Sequence, residues 1–256
     1  MFPLGIRVLR EFPPRYGGLN VFVLGPAGSG KSLLTGNFSS YLAREGYRVR
    51  LVNLDPGVLS LPYRADFDVR KVFTVEEIMR EKGLGPNGAI LEAMERLANL
   101  SLPSFEDADY VLYDTPGQLE PFLFREAGRR IVGSLEDCCC LFLGDLSTPR
   151  RNLLGFYLYA LTARYTLEAE TLAVLNKADL LTPEEREEVK RFLENPTPLF
   201  EASASLKDEM DREILNALKD FFPPQRVPLV SAETGLGFEE LLTLLFEVKC
   251  TCGDLT

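Results

Sequence analysis

The segment Gly25-Pro26-Ala27-Gly28-Ser29-Gly30-Lys31-Ser32 has the residue types and spacing of an anion cradle. Its glycines let successive backbone N–H groups turn inward, and a helix opening at the lysine adds the positive end of its dipole. The predicted donors to nucleotide phosphates are the N–H groups of Gly28, Ser29, Gly30, Lys31, Ser32 and Leu33. The Lys31 ammonium is placed to reach the β- and γ-phosphates, and the Ser32 hydroxyl to ligate Mg²⁺. A glycine-rich turn without function has a similar composition. What separates the two is context, and here an apolar run precedes the segment and a helical pattern follows it.

Three further polar segments could complete phosphate chemistry. Asp114-Thr-Pro-Gly117-Gln118 follows an apolar run. Asp114 is expected to hold magnesium through water, Gly117 to offer its N–H to a γ-phosphate, and Gln118 to orient an attacking water. Asp55, in Asn53-Leu-Asp55-Pro-Gly57, ends another run and points to the same rim, with a role toward the metal or the water. Asn176-Lys177-Ala-Asp179 fits a base reader: a carboxylate accepts from both the ring N1–H and the exocyclic amine of guanine, and adenine offers no such pair. Asn176 is expected to support the loop and contact the base, and the Lys177 stem to lie over the ring. In Ser231-Ala232-Glu233 the Ala232 N–H is the predicted donor to guanine O6. Each short match is weak alone; their order and their positions after apolar runs carry the reading. Gly83-Leu-Gly85-Pro86-Asn87-Gly88 reads locally as a helix stop, a turn and a new helix start.

The elements that position these residues are legible as a repeat. Short, barely alternating apolar runs at 19–24, 49–54, 110–113, 138–143, 171–175 and 227–230 read as strands buried on both faces. Amphipathic patterns at 33–44, 74–82, 89–99, 119–132, 153–165, 183–193 and 237–248 lie between or after them. The expected fold class is α/β, a mostly parallel P-loop NTPase sheet with helices on both faces, whose ligands bind beyond the carboxyl ends of the strands. Residues 1–18 read as an irregular lead-in with a possible edge strand at 6–9, and 19–256 as one domain. Residues 195–222, helical in pattern from 205, read as an insertion between the guanine motif and the last strand.

Bulk properties remove several alternatives. The chain has 256 residues, 46% of them apolar, and no apolar run near the ~20 residues of a membrane helix. Its start lacks the pattern of a signal peptide, which predicts a cytoplasmic protein. A net charge of −10, from 38 acidic and 28 basic residues, weighs against direct nucleic-acid binding by phosphate neutralisation. There is no histidine, so chemistry falls to carboxylates, amides, lysine, arginine, backbone and a bound ion, which suits phosphoryl transfer. Cys138, Cys139 and Cys140 read as small apolar filling on a strand. Cys250 and Cys252 offer two thiolates where a closed zinc site usually needs four ligands.

Taken in order, Gly25–Ser32, Asp55, Gly85-Pro86-Asn87, Asp114–Gln118 and Asn176–Asp179 resemble the GPN-loop GTPases, over roughly nine tenths of the chain. The short single-domain form resembles archaeal members. The family is related to the signal-recognition-particle and cell-division ATPase branch of P-loop proteins. The resemblance implies GTP hydrolysis with Mg²⁺ as cofactor by a homodimer, in which Gly85, Pro86 and Asn87 of one subunit reach the nucleotide of the other. By the same route Lys31, Asp55, Asn87, Gln118 and Glu120 become the catalytic set, and Ser32, Asp55 and Asp114 the metal set. Eukaryotic members are associated with assembly and nuclear entry of RNA polymerase, which implies a switch or assembly factor with an unknown protein client. Two other functions remain open on the residues alone: a nucleotide-dependent metallochaperone using Cys250 and Cys252, and a polynucleotide kinase.

Overall fold

The computed structural model describes residues 18–146, 153–194, 209–210, 213–214 and 226–253. The apolar runs pair as one all-parallel sheet of six strands: β1 (Leu19–Leu24), β2 (Val49–Asn53), β3 (Phe67–Asp68), β4 (Tyr110–Asp114), β5 (Cys138–Asp145) and β6 (Glu170–Asn176), in the order β3-β2-β4-β1-β5-β6. The helices are α1 (Lys31–Arg44), α2 (Val75–Lys82), α3 (Pro86–Ala98), α4 (Leu119–Phe124), α5 (Glu126–Gly133), α6 (Leu153–Leu167), α7 (Pro183–Glu194) and α8 (Phe238–Gly253).

The period of two along a strand divides the core. Val21 and Val23 of β1 face Leu34, Phe38 and Leu42 of α1 and Phe238, Leu241 and Leu245 of α8. Phe22 and Leu24 face the opposite layer, built from α2 to α7. Fully burying such side chains contributes on the order of 1.5–3 kcal/mol each. Phe22 and Tyr113, paired across β1 and β4, stack with ring centroids 4.4 Å apart. Cys139 and Cys140 are both buried, one in each layer, as small apolar residues on alternating faces. Among the described residues no helix is long and apolar enough to cross a membrane.

Four local expectations change. The helix expected over 119–132 breaks at Arg125, whose backbone is extended (φ −106°, ψ 176°). The break lets α5 lie close to α4: a Cβ on Gly128 would stand 2.6 Å from the Phe122 carbonyl oxygen. The run at 227–230 forms only a parallel bridge, Leu175 to Leu229. Pro228 has no N–H to donate, although its carbonyl accepts from the Leu175 N–H at 3.0 Å. Two-residue β3 was not foreseen. Helix α3 begins at Pro86, ahead of the pattern at 89–99, because proline at the first helical position sacrifices no hydrogen bond, so Pro86 and Asn87 lie in its first turn. Most of the lead-in, with the strand expected at 6–9, and nearly all of the 195–222 insertion lie outside the described residues.

Candidate functional site

The carboxyl ends of β1, β2, β4 and β6 bring the predicted segments to one rim of the sheet. Between β1 and α1 the chain turns through three left-handed glycines, Gly25 (φ 144°), Gly28 (φ 78°) and Gly30 (φ 95°). Two of them also have no room for a side chain. A Cβ on Gly25 would meet the Leu143 carbonyl oxygen at 2.6 Å, and one on Gly30 would meet Asn176 Nδ2 at 2.4 Å. Gly30 caps α1 without a side chain, and the first turn carries no acidic residue, so the helix start keeps its positive potential. The Lys31 ammonium folds back over the loop, donating to the carbonyls of Gly25 at 2.8 Å and Pro26 at 3.2 Å. Burial lowers its pKa, opposed by the carboxylates of Asp114, Asp55 and Glu120, which places all three carboxylates in electrostatic reach of one cation.

Asp114 ends β4 and is 1% exposed. Its Oδ2 accepts from the Tyr63 hydroxyl at 2.8 Å, while its buried Oδ1 has no hydrogen-bond partner among the described residues. Burial pushes its carboxyl up to about 6, against the pull of the nearby Ser32 and Tyr63 hydroxyls and Lys31. Next to it, Thr115 donates its hydroxyl to the Val23 carbonyl at 2.7 Å, tying β4 to the strand that leads into the phosphate loop.

Asp55 is committed on both oxygens. Oδ1 accepts from the Gly57 N–H and Oδ2 from the Gly117 N–H, each at 2.8 Å. The Gly117 N–H expected for a γ-phosphate therefore points at Asp55 here. Behind it, the Asn53 side chain accepts from the Asp55 N–H at 3.0 Å and donates to Asp68 Oδ1 at 2.9 Å. Asp68 in turn holds Arg70 through both carboxylate oxygens, and Arg70 reaches the carbonyls of Val58 and Leu59. A polar chain thus runs from the loop after β2 to the loop after β4. Gln118 is exposed and lines a cavity of about 770 Å³ together with Asp55, Gly117 and Ala27 of the phosphate loop. Glu120 is exposed on α4, and its Oε1 accepts from Tyr159 of α6 at 3.0 Å.

Asn176 is the joint of the site. Its Nδ2 donates to the Ser29 carbonyl at 2.8 Å, and its Oδ1 accepts from the Ala232 N–H at 2.9 Å. The amide expected to touch the base thus clamps the phosphate loop to the 231–232 turn. The Ala232 N–H, expected to serve guanine O6, is given to Asn176 instead, because that side chain is buried and needs a donor. Lys177 adopts a left-handed backbone (φ 69°) and pairs with Asp145 at the end of β5. Asp179 is exposed in the short 3-10 turn that follows. Gly85, Pro86 and Asn87 are exposed at the start of α3 and do not line the cavity beside the phosphate loop.

The oxygen-rich set of Ser32, Asp114 and Asp55 fits Mg²⁺, and the orphaned, buried Asp114 Oδ1 is the observation that favours it. Among the described residues no cluster of three or more His, Cys, Asp or Glu could hold an ion alone. The side chains of Cys250 and Cys252 lie outside the described residues. Three residues escaped the sequence reading: Tyr63, Asn53 and Thr115. Only Asn53, an amide inside an apolar strand, carried a signal.

A parallel sheet with a glycine cradle between a central strand and the helix that follows it defines a P-loop nucleotide-binding protein. A family model described as a conserved hypothetical ATP binding protein matches residues 23–251. The chain is 43% identical over 249 residues to a GPN-loop GTPase of Pyrococcus abyssi, covering 92% of this chain and 99% of that protein. It is 32% identical to GPN-loop GTPase 3 of Eremothecium gossypii, over 82% of this chain and 84% of the relative. The crystal structure of a GTPase in apo form from Pyrococcus abyssi superposes with a TM-score of 0.84 at 41% identity, over 91% of this chain and 98% of that one. This chain belongs to the GPN-loop GTPase family.

Proposed function

We propose that this chain binds GTP with Mg²⁺ at the rim of the sheet and hydrolyses it to GDP and phosphate as a homodimer. The observation that carries the reading is the Asn176 clamp, which ties the phosphate loop to the end of β6, three residues before the exposed Asp179. A triphosphate in the loop and a guanine ring read by Asp179 then share one orientation. The matching family model is described by ATP and the relatives by GTP; an exposed carboxylate in the base-reading position favours guanine.

The phosphate-loop N–H groups and Lys31 bind the β- and γ-phosphates. Ser32 and Asp114, with Asp55 nearby, would hold the metal, and the chemistry it would supply there is neutralisation of phosphate charge. A γ-phosphate that takes the Gly117 N–H displaces Asp55 Oδ2 as its acceptor. That exchange frees a carboxylate beside the water that Gln118 orients, where it can accept the water's proton. Glu120, steadied by Tyr159, lies close enough to shape the field at Lys31. Asn87, exposed and outside its own chain's cavity, is free to donate to a γ-phosphate in a second copy, without the full charge of an arginine.

Loops that exchange partners between γ-phosphate and protein are the basis of nucleotide switches. We therefore read the chain as a switch or assembly factor acting on a protein client; family resemblance suggests RNA polymerase as that client. An Asn87→Ala variant is expected to slow turnover while GTP affinity and dimer mass stay near the parent values. Unchanged turnover would remove the composite site. Capture on the GTP-locked Gln118→Leu variant tests the client.

A further inference from the structure

We infer that Tyr63 is a positioning residue for the magnesium site, holding one oxygen of Asp114 so that the other faces the metal. The inference rests on the Mg·GTP reading above and adds to it a residue with no motif around it.

Tyr63 lies in the loop between β2 and β3, fifty-one positions from Asp114 in the chain, and its hydroxyl donates to Asp114 Oδ2 at 2.8 Å. The ring is anchored independently of that bond. It packs against the core layer containing Leu34 and Phe38 of α1. Gly36 of the same helix makes the room: a Cβ there would stand 3.3 Å from the Tyr63 Cβ and 3.4 Å from Cδ1. The helix that begins with Lys31 and Ser32 therefore also seats the tyrosine that holds Asp114.

A carboxylate can rotate about its last bond, and either oxygen can face a ligand unless one is fixed. The Tyr63 hydroxyl fixes Oδ2. Oδ1 is left buried and, among the described residues, without a hydrogen-bond partner. Mg²⁺ demands near-ideal octahedral geometry, and partners of metal-associated carboxylates are worth about 10–100-fold in metal affinity. If Tyr63 only filled space, the ring would suffice and the hydroxyl would be dispensable.

The test uses the full chain with Tyr63→Phe, which keeps the ring. A fluorescent guanine nucleotide is titrated in EDTA and then across a series of free Mg²⁺ concentrations, and the nucleotide-free melting temperature is recorded. We expect affinity in EDTA within twofold of the parent, and a Mg²⁺ midpoint raised about tenfold. Saturating Mg²⁺ should restore the parent affinity. A midpoint within twofold of the parent, in a folded variant, overturns the inference. Equal losses with and without Mg²⁺ also overturn it, since they indicate a structural role. A parent whose guanine affinity ignores Mg²⁺ would overturn the Mg·GTP reading and this inference together. If Tyr63→Phe does not fold, Gly36→Ala is measured instead. It keeps the hydroxyl and crowds the ring, so a smaller rise in the same direction is expected, and no rise overturns the inference.

Discussion

Replacing Asn176 with alanine separates a clamp from a base contact. The side chain makes two buried hydrogen bonds, to the Ser29 carbonyl and from the Ala232 N–H, and both residues are at most 2% exposed. Truncation leaves a buried acceptor and a buried donor unpaired, each costing about 1–3 kcal/mol. A total near 3 kcal/mol would lower the melting temperature of a chain this size by about 6–12 °C. Urea unfolding of nucleotide-free protein reads it directly. A residue that only touched the base would leave that protein unchanged and lose affinity alone. A destabilisation under about 0.5 kcal/mol would therefore refute the clamp, since surface-like substitutions fall in that range. Gly30→Ala attacks the clamp from its other side, because the new Cβ meets Asn176 Nδ2 at 2.4 Å. It should cost less stability in an Asn176→Ala background than in the parent, with the backbone strain at φ 95° remaining in both.

Asp179→Ala should reduce the preference for GTP over ATP roughly a hundredfold, two charge-assisted hydrogen bonds at about 1.5 kcal/mol each, as read by competition binding. An unchanged ratio would move base recognition elsewhere. Asp68 carries a pH signature: burial raises its pKa, but hydrogen bonds from Arg70 and Asn53 outweigh this and hold it at about 2 instead of 3.8. A depressed folded-state pKa stabilises above the unfolded value and is lost as pH falls through the folded one. The parent should thus lose about 2 kcal/mol between pH 4 and pH 2 through this group. Asp68→Asn should lack that component, and acid-unfolding curves of parallel slope would contradict the assignment.

The sequence made the sheet legible because strands covered on both faces must be apolar throughout, and the phosphate loop legible because glycine spacing is local. Asp55, Asp114, Gln118 and Asn176 are legible as rim residues because each follows a strand at the end where such sheets bind ligands. Long-range partners were not legible. Nothing near Tyr63 announces Asp114, and the Asn53–Asp68 bond spans a loop whose path local residues do not set. The break at Arg125 depends on the close approach of Gly128 to Phe122, a tertiary contact inside an otherwise helical pattern. The role of Asn176 was half seen: loop support was expected, but its hold on Ala232 was not. Gly85-Pro86-Asn87 shows the limit most plainly, since its punctuation describes a helix start correctly and its significance came only from resemblance.

Phosphate release from GTP and from ATP, each at equal concentration with Mg²⁺ and again with EDTA, tests the central claim on the full chain. The expected result is turnover of GTP that EDTA abolishes, with ATP hydrolysed far more slowly. Equal release from both nucleotides, or GTP bound with Mg²⁺ but never cleaved, would contradict it.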